Sequence, residues 1–169
     1  MMGVLSGNPK NEPMHYGEVF SAWLYFQGEK SMVAMYETLL NHAGDDDLKE
    51  LLHEAIQEAK SESQQVEKLL KTNGVGIPPV PPERSKANRE DIPVGARVMD
   101  AEIGALLSVN VSKGLVECST IMGQSIREDI AMMFGNFHMK KTQFGAKVLR
   151  LNKEKGWLVP PPLHDSPQH

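Results

Sequence analysis

A proline-rich segment in the middle of the chain divides it into two parts that can be helical. Residues 74–93, GVGIPPVPPERSKANREDIP, contain five prolines, and proline lacks the N–H group that the interior of a helix needs. Pro-Pro pairs favour the extended polyproline II conformation at about 3.1 Å per residue, so the segment can cover roughly 60 Å. The helix that fits before it would measure only about 42 Å. The segment can therefore run the full length of a bundle and leave the helices on either side parallel.

Two amphipathic helices are predicted before this segment. The first runs from about residue 13 to 43, with Pro13 in its first turn and Gly44 after its end. The second runs from about residue 46 to 73, and Asp45 supplies its N-cap. The second helix has the clearest apolar stripe, at intervals of three and four residues. Its members are Leu48, Leu51, Leu52, Ala55, Ile56, Ala59, Val66, Leu69 and Leu70.

Two further helices are predicted after the segment. The third begins near Asp100, whose carboxylate can cap it. Ser125 and Glu128 form the S-x-x-E pattern of a capping box just after Gly123, which places the turn between the third and fourth helices there. Gly135, followed by asparagine, is the alternative position for this turn. It would make the third helix longer and the fourth shorter.

The four helices define the expected fold and its boundaries. No segment shows the period-2 alternation that predicts a strand, so the chain is expected to form an all-α, antiparallel four-helix bundle. We expect a flexible lead-in over residues 1–12, one bundle domain over 13–156 with its crossover at 74–99, and a proline-rich extended tail over 157–169. The tail either packs back on its own bundle or reaches a neighbour. Packing is favoured, because Trp157 and the apolar residues after it are costly to leave in water.

Composition limits the possible classes of function. The chain has 169 residues, a formal net charge of −4 and a single cysteine. Its acidic balance gives no broad positive field for nucleic acid or anionic lipid, and one cysteine excludes a disulfide framework. No apolar run approaches the roughly 20 residues of a membrane span, and the first residues lack the pattern of a secretory signal. We expect a cytoplasmic protein that neither binds nucleic acid nor inserts into a membrane.

Five stretches carry a resemblance to a known family. They are HYGEVFSAWLYF, NHAGDDDLKELL, GIPPVPPE, QSIREDIAMMFGNFH and LRLNKEKGWLVPPPLH. Together they resemble a family of unknown function from endospore-forming bacteria, which is related to the ferritin-like bundles and is often labelled as spore coat protein, similar to spore coat protein F. The resemblance implies a ferritin-like bundle in a sporulating cell, made in the cytoplasm and assembled on the spore coat.

A ferritin-like bundle raises the question of a di-iron site. Such a site takes one Glu from each of two helices and an E-x-x-H pair from each of the other two. The second helix has one such pair, Glu50 and His53, but Gly135 occupies the position where His138 would need a Glu partner. We therefore expect no metal centre and no other cofactor, with an iron or manganese site as the alternative. The candidate ligands for that alternative are Glu29, Glu62, His138, Glu50 and His53.

Polar residues interrupt the apolar stripes near the middle of every helix. Lysines among them would repel a metal cation and pair with carboxylates, so we expect an ion-pair and hydrogen-bond layer that fixes the helix register. The alternative is that these residues lie on solvated faces and that Gly28 and Gly145 allow helices to approach closely. The polar layer across the waist of the bundle is expected to contain Gln27, Glu29, Lys30, Ser63, Asn110, His138 and Lys141, and Glu62 lies in the same region of the second helix.

The remaining features favour an interaction role over catalysis. No complete catalytic set is present, and Cys118 is expected to be a buried structural thiol. An interaction surface is expected at Trp23, Tyr25, Phe26 and Trp157. The favoured function is a non-enzymatic structural or interaction protein of the spore coat, which forms a homo-oligomer or binds other coat proteins. The alternatives are a ferritin-like metal-binding oxidoreductase or metal-storage bundle, and a carrier of a small ligand.

Overall fold

Four long helices account for most of the protein. The computed structural model describes residues 12–164. The helices are α1 (Tyr16–His42), α2 (Asp46–Thr72), α3 (Asp100–Gln124) and α4 (Glu128–Glu154), and two short 3₁₀ turns lie at Arg89–Asp91 and Val94–Ala96. No strand occurs within residues 12–164, so the predicted all-α four-helix bundle is confirmed. None of these helices contains an apolar stretch long enough to cross a bilayer.

The helices form two antiparallel hairpins joined by a crossover. The α1–α2 pair and the α3–α4 pair pack most extensively, and smaller contacts join α1 to α3 and α2 to α4. The start of α3 lies at the α1–α2 turn, since Asp100 accepts a hydrogen bond from the Gly44 N–H at 2.8 Å. At the other end, His15 Nε2 lies 3.1 Å from the carbonyl oxygen of Gln124. Helices α2 and α3 therefore run parallel, and the proline-rich crossover spans the bundle from end to end, as the sequence predicted.

The crossover lies against α1 and is held by its side chains. Glu37 Oε2 accepts from the Arg84 N–H at 2.7 Å. The Asn41 amide donates to the Ser85 carbonyl and accepts from the Ala87 N–H, each at 3.0 Å. A segment without regular structure thus has its backbone groups satisfied by the helix beside it.

The core consists of two apolar clusters, one at each end of the bundle. The upper cluster lies at the end where α1 finishes and α3 begins, and the lower cluster lies where α1 begins. The upper cluster contains Val33, Tyr36, Leu39, Ala43, Leu48, Leu52, Ala55, Ile56, Ala59, Ile103, Leu107, Phe144, Val148 and Leu151. The lower cluster contains Ala22, Tyr25, Phe26, Val66, Leu69, Leu70, Cys118, Ile121, Ile130, Phe134 and Phe137.

The start of α1 differs from the prediction that Pro13 occupies the first turn. The N-cap is His15, whose Nδ1 accepts from the Gly17 and Glu18 N–H groups at 2.9 and 3.3 Å. Glu18 Oε2 in turn accepts from the His15 N–H at 3.0 Å, which completes a capping box. Proline would be tolerated at the first helical position, but the reciprocal His15–Glu18 bonds place that position three residues later.

The turn between α3 and α4 lies at residues 125–127, near Gly123 rather than Gly135. The predicted capping box is nevertheless wrong, because the Ser125 hydroxyl donates back to the Ile121 carbonyl at 2.7 Å. The turn is capped from another helix. Glu18 Oε1 accepts from the Ile126 and Arg127 N–H groups at 2.9 and 3.0 Å. Since the Glu18 residue is only 2% exposed, this bond network is shielded from water.

Asp100 has the corresponding position at the opposite end of the bundle. The N-cap of α3 is Met99, so the predicted capping of α3 by Asp100 is wrong. The Asp100 carboxylate instead accepts from the Gly44 and Asp45 N–H groups at 2.8 and 3.1 Å, in the α1–α2 turn. Gly44 has no positive φ, unlike Gly74 and Gly156, and Asp45 caps α2 through the Leu48 N–H as predicted. A carboxylate in the first turn of one hairpin thus closes the loop of the other at each end.

The C-terminal tail packs on the bundle only at its start. Trp157 contacts the upper cluster, and the Trp157 and Leu158 N–H groups donate to the Asn152 carbonyl at 2.8 and 3.0 Å. Residues 158–164 are exposed, with Val159 at 89% and Leu163 at 80%. The expectation that the whole tail packs back therefore holds for Trp157 alone. The lead-in at 1–11 and the last residues of the tail, 165–169, lie outside the described residues.

Replacing Glu18 by alanine should destabilise the fold much more than removing an ordinary capping carboxylate. Glu18→Ala leaves the Ile126 and Arg127 N–H groups unpaired, and we expect the free energy of unfolding to fall by about 3 kcal/mol. Glu102→Ala is the matched control, because Glu102 makes the same capping-box bond to Met99 at 2.7 Å but in an exposed setting. We expect its loss to be no more than about 1 kcal/mol. Urea unfolding measures both values, and equal losses would contradict the cross-hairpin role of Glu18.

Candidate functional site at the waist of the bundle

A buried ionic network lies between the two apolar clusters. Lys141 of α4 places its Nζ 2.8 Å from Glu62 Oε2 of α2 and 3.1 Å from Glu29 Oε1 of α1. The hydroxyl of Tyr25, also on α1, donates to Glu62 Oε2 at 2.6 Å. Three helices are therefore joined through one ammonium group and two carboxylates.

The position of Lys141 depends on a glycine in α3 and on an aromatic cluster. A Cβ atom at Gly114 would lie only 2.8 Å from Lys141 Cδ, so glycine provides the space in which the lysine stem crosses α3. The ammonium lies 5.6 Å from the centroid of the Tyr25 ring, within the range of a cation–π contact. Phe134 and Phe137 hold that ring, with centroid distances of 4.9 and 5.8 Å.

Burial sets the electrostatics of the network. Glu62 is fully buried, and the side chains of Glu29 and Lys141 are 11% and 15% exposed. Burial raises the pKa of Glu29 to about 7, although the charge of Lys141 opposes the rise. Burial alone would lower the pKa of Lys141, but the charges of Glu29 and Glu62 raise it above its ordinary value. Lys141 therefore stays charged, and Glu29 is the member of the network that can gain or lose a proton near neutral pH.

Cys118 completes the contacts of Tyr25 in the lower cluster. Its Sγ lies 3.8 Å from the Tyr25 hydroxyl, and the residue is fully buried. Burial raises the pKa of the thiol to about 11. Since the thiolate is the nucleophilic form, Cys118 has the environment of a structural thiol.

A small cavity lies beside the network and is lined by residues of all four helices. Its volume is about 190 Å³, and Glu29, Glu58, Asn110 and Glu117 are among the residues that line it. Burial raises the pKa of both Glu58 and Glu117. The volume is below the roughly 300 Å³ at which ligand pockets usually begin, so the cavity has room for a few water molecules rather than for a cofactor.

The other residues of the predicted polar layer are distributed differently. The Lys30 ammonium lies over the Phe26 ring, 6.0 Å from its centroid, and away from the network. Ser63 is buried and donates to the Lys60 carbonyl within α2 at 3.0 Å. Asn110 lines the cavity. Gln27 and His138 are half-buried on α1 and α4. Of the two glycines in the alternative interpretation, Gly145 faces Val111 closely, whereas Gly28 faces open space.

The predicted interaction surface needs correction. Tyr25 and Phe26 are each 1% exposed, because their side chains fill the lower cluster. The Trp23 indole donates to the Gly76 carbonyl of the crossover at 3.1 Å, and Trp157 packs on the upper cluster. Tyr25 and Phe26 are therefore core residues, whereas Trp23 and Trp157 are half-buried against other parts of the same chain.

The waist does not fit a di-iron centre. Glu29 and Glu62 are brought together, but the Lys141 ammonium occupies the space between them, and a positive group there repels a metal cation. Glu50 and His53 are exposed near the start of α2. Within residues 12–164, no group of three carboxylate, imidazole or thiol side chains converges in an arrangement that could hold a metal.

Sequence reasoning missed two members of the network. The sequence predicts a surface position for Tyr25, because α1 carries more aromatic residues than one buried face can hold. Its spacing of four residues from Glu29, one helical turn, was the available signal. Gly114 had no signal, since its function depends on the position of Lys141 across the bundle.

Removing the shared ammonium should destabilise the bundle strongly. Lys141→Met leaves two carboxylates buried without a counter-charge, and we expect the free energy of unfolding at pH 7 to fall by about 3 to 5 kcal/mol. Lys147→Met is the matched control on the same helix, because Lys147 pairs with Glu54 in a half-exposed setting. That loss should be at most about 1 kcal/mol. Chemical denaturation of both variants measures the difference, and similar losses would show that the network contributes no more than a surface pair.

Glu29 should make stability depend on pH. Its pKa is about 7 in the folded protein against an ordinary value near 4.5, so the native state retains a proton that the unfolded chain has lost. The free energy of unfolding should therefore fall as the pH rises from about 4.5 to 7, by on the order of 2 kcal/mol relative to Glu29→Gln. Glu54→Gln should keep the wild-type profile. Urea unfolding at pH 5, 6, 7 and 8 tests this, and a constant difference between wild type and Glu29→Gln would contradict it.

Comparisons with known proteins identify the family. The model of a family described as "Protein of unknown function (DUF3231)" matches residues 2–169. The uncharacterized protein YvdQ of Bacillus subtilis (strain 168) is 57% identical over 168 residues, which cover 99% of each chain. A crystal structure from Bacillus halodurans C-125, named a "putative spore coat protein", is similar with a TM-score of 0.92 and 58% identity, over 94% of this chain and 100% of that one. The chain therefore belongs to the DUF3231 family.

Proposed function

We propose that this protein is a non-catalytic structural component of the spore coat. The observation that carries the proposal is the Lys141 ammonium, which lies within 2.8 Å of Glu62 and 3.1 Å of Glu29 at the centre of the bundle. A lysine paired with both central carboxylates places its positive charge where a metal cation would have to bind, and it repels that cation. The polar groups of the waist serve to hold helices α1, α2 and α4 in one register.

The chemistry of the waist supports a structural role. Catalytic groups need a reactive atom that a substrate can reach, with a pKa suited to proton transfer or attack. Tyr25 and Cys118 are buried, and burial raises the pKa of each, so both remain protonated. The cavity beside them, of about 190 Å³, leaves little room for a substrate. At the waist, these features favour a fixed scaffold over an active site or a small-ligand site.

The relatives support the proposed location. Both matched proteins come from Bacillus species, and the solved structure carries a coat-protein name. We propose that the chain is made in the cytoplasm and assembled on the developing spore. Kinship with the ferritin-like proteins stays a prediction, supported by a single long crossover that leaves α2 and α3 parallel.

A tagged copy in a sporulating Bacillus host tests the location. We expect the tag to move from the mother-cell cytoplasm to the spore surface and to co-purify with spores until the coat is chemically extracted. The same tag without the protein should remain in the cytoplasm. A fusion that never associates with spores would overturn the coat assignment.

Metal analysis tests the alternative of a metal-binding bundle. Protein produced with added iron and manganese should contain either metal at far below one ion per chain after dialysis. Stoichiometric iron or manganese that disappears in Glu29→Gln and Glu62→Gln would overturn the non-catalytic proposal. The localisation experiment tests the coat assignment, and the metal analysis tests the non-catalytic role. Either part of the proposal can therefore fail while the other stands.

A further inference from the structure

Three large apolar side chains form an exposed row along the first half of α1. Tyr16 is 94% exposed, Phe20 is 62% exposed and Leu24 is 39% exposed. Their spacing of four residues places them on one face of the helix. We call these three residues the α1 stripe. The only charged residue of α1 from Tyr16 to Gly28 is Glu18, which is buried, so this part of α1 places no exposed charge beside the stripe.

The C-terminal tail presents a second exposed apolar surface. Leu158 is 36% exposed, and Val159 and Leu163 are 89% and 80% exposed. Three consecutive prolines, residues 160–162, lie between Val159 and Leu163 and favour a preformed extended segment that loses little entropy on binding. The segment 157–163 carries no charge. Extended proline segments typically dock on surfaces lined by aromatic side chains.

The protein already contains one contact between an aromatic side chain of α1 and a proline-rich segment. The crossover segment 76–82 is uncharged and rich in proline, as the tail is, and it starts beside α1. The Trp23 indole donates to the Gly76 carbonyl at 3.1 Å, and Pro78 is buried. An aromatic donor that holds the backbone of a proline-rich segment is the mode by which such segments are recognised. The α1 stripe lies on the same half of the same helix, and among residues 12–164 no such segment lies against it.

Residues 158–164 cannot reach the stripe of their own bundle. It leaves the bundle at Trp157, which packs beside Gly104 near the start of α3. Tyr16 and Phe20 lie at the opposite end, in the first turns of α1. The exposed residues 158–164 extend over roughly 22 Å, whereas α1 is about 40 Å long. If residues 158–164 cover an α1 stripe, they must therefore come from another copy.

We infer that residues 158–164 of one copy dock on the α1 stripe of a second copy. The two contacting surfaces differ, so the contact is head-to-tail, and it propagates into a ring or an open chain of subunits. Both contacting surfaces are apolar. Sodium sulfate, which strengthens the burial of apolar surface, should therefore favour the associated form over the monomer. Self-association of this kind is independent of where in the cell the protein resides.

Complementation between two variants tests the pairing. A chain ending at Trp157 has a stripe but no exposed tail, and the double variant Tyr16→Ser, Phe20→Ser has a tail but a disrupted stripe. We expect the full chain to form species of at least twice the monomer mass in size exclusion with light scattering. Each variant alone should be a monomer, and an equimolar mixture should form a 1:1 dimer that does not grow further.

The controls distinguish this contact from non-specific hydrophobic association. Val116→Ser removes a side chain that is 66% exposed on α3 and should leave the oligomers of the full chain unchanged. Thermal unfolding should show that both variants keep the wild-type midpoint within a few degrees, since the altered residues are exposed. A strictly monomeric full chain, oligomers that persist without the tail, or a mixture that stays monomeric would each overturn the inference.

Discussion

The ion pairs of Lys141 with Glu29 and Glu62 are the interaction on which the middle of the bundle depends. Removing charges from water costs more than one Coulombic contact returns unless every charge is paired. Lys141 pairs with two carboxylates, Glu29 and Glu62, at 3.1 and 2.8 Å, and the raised pKa of Glu29 lets that residue take up a proton when the negative charge is in excess. The Lys141 side chain can reach this position because Gly114 leaves space for its stem and because the Tyr25 ring lies beneath its ammonium group. The positive charge that balances these buried carboxylates is thus a side chain of the protein itself.

Two carboxylates outside the waist hold the hairpins to each other. Glu18 closes the α3–α4 turn and Asp100 closes the α1–α2 turn, so each hairpin completes the end of the other. These bonds form only when the two hairpins are aligned so that each carboxylate meets the turn of the other hairpin. Together with the central network they disfavour a sliding of one hairpin along the other, which apolar clusters alone would tolerate.

The sequence predicted those parts of the structure that depend on local pattern. Helix content and the parallel arrangement across the crossover follow from proline positions and apolar period, and Asp45 was correctly identified as a cap. Glu18 and Asp100 were assigned local roles or none, because their partners lie more than fifty positions away in the chain. Tyr25 and Phe26 were placed on a surface because a pattern shows how many aromatic side chains a helix carries but not which neighbours can bury them. Lys141 and Glu29 were expected to pair, whereas the clearance at Gly114 depends on backbone positions that no motif encodes.

The long crossover also divides the contacts of the bundle into two groups that differ in their separation along the sequence. Contacts within each hairpin join residues close along the chain, whereas the bonds that unite the hairpins span 56 residues at Gly44 and 109 at Arg127. Helical hairpins form quickly when their contacts are local, and loop closure over long distances slows the step that joins them. We therefore expect the bonds between the hairpins to form later than the contacts within each hairpin, and the charged groups of the waist to leave water when the hairpins join.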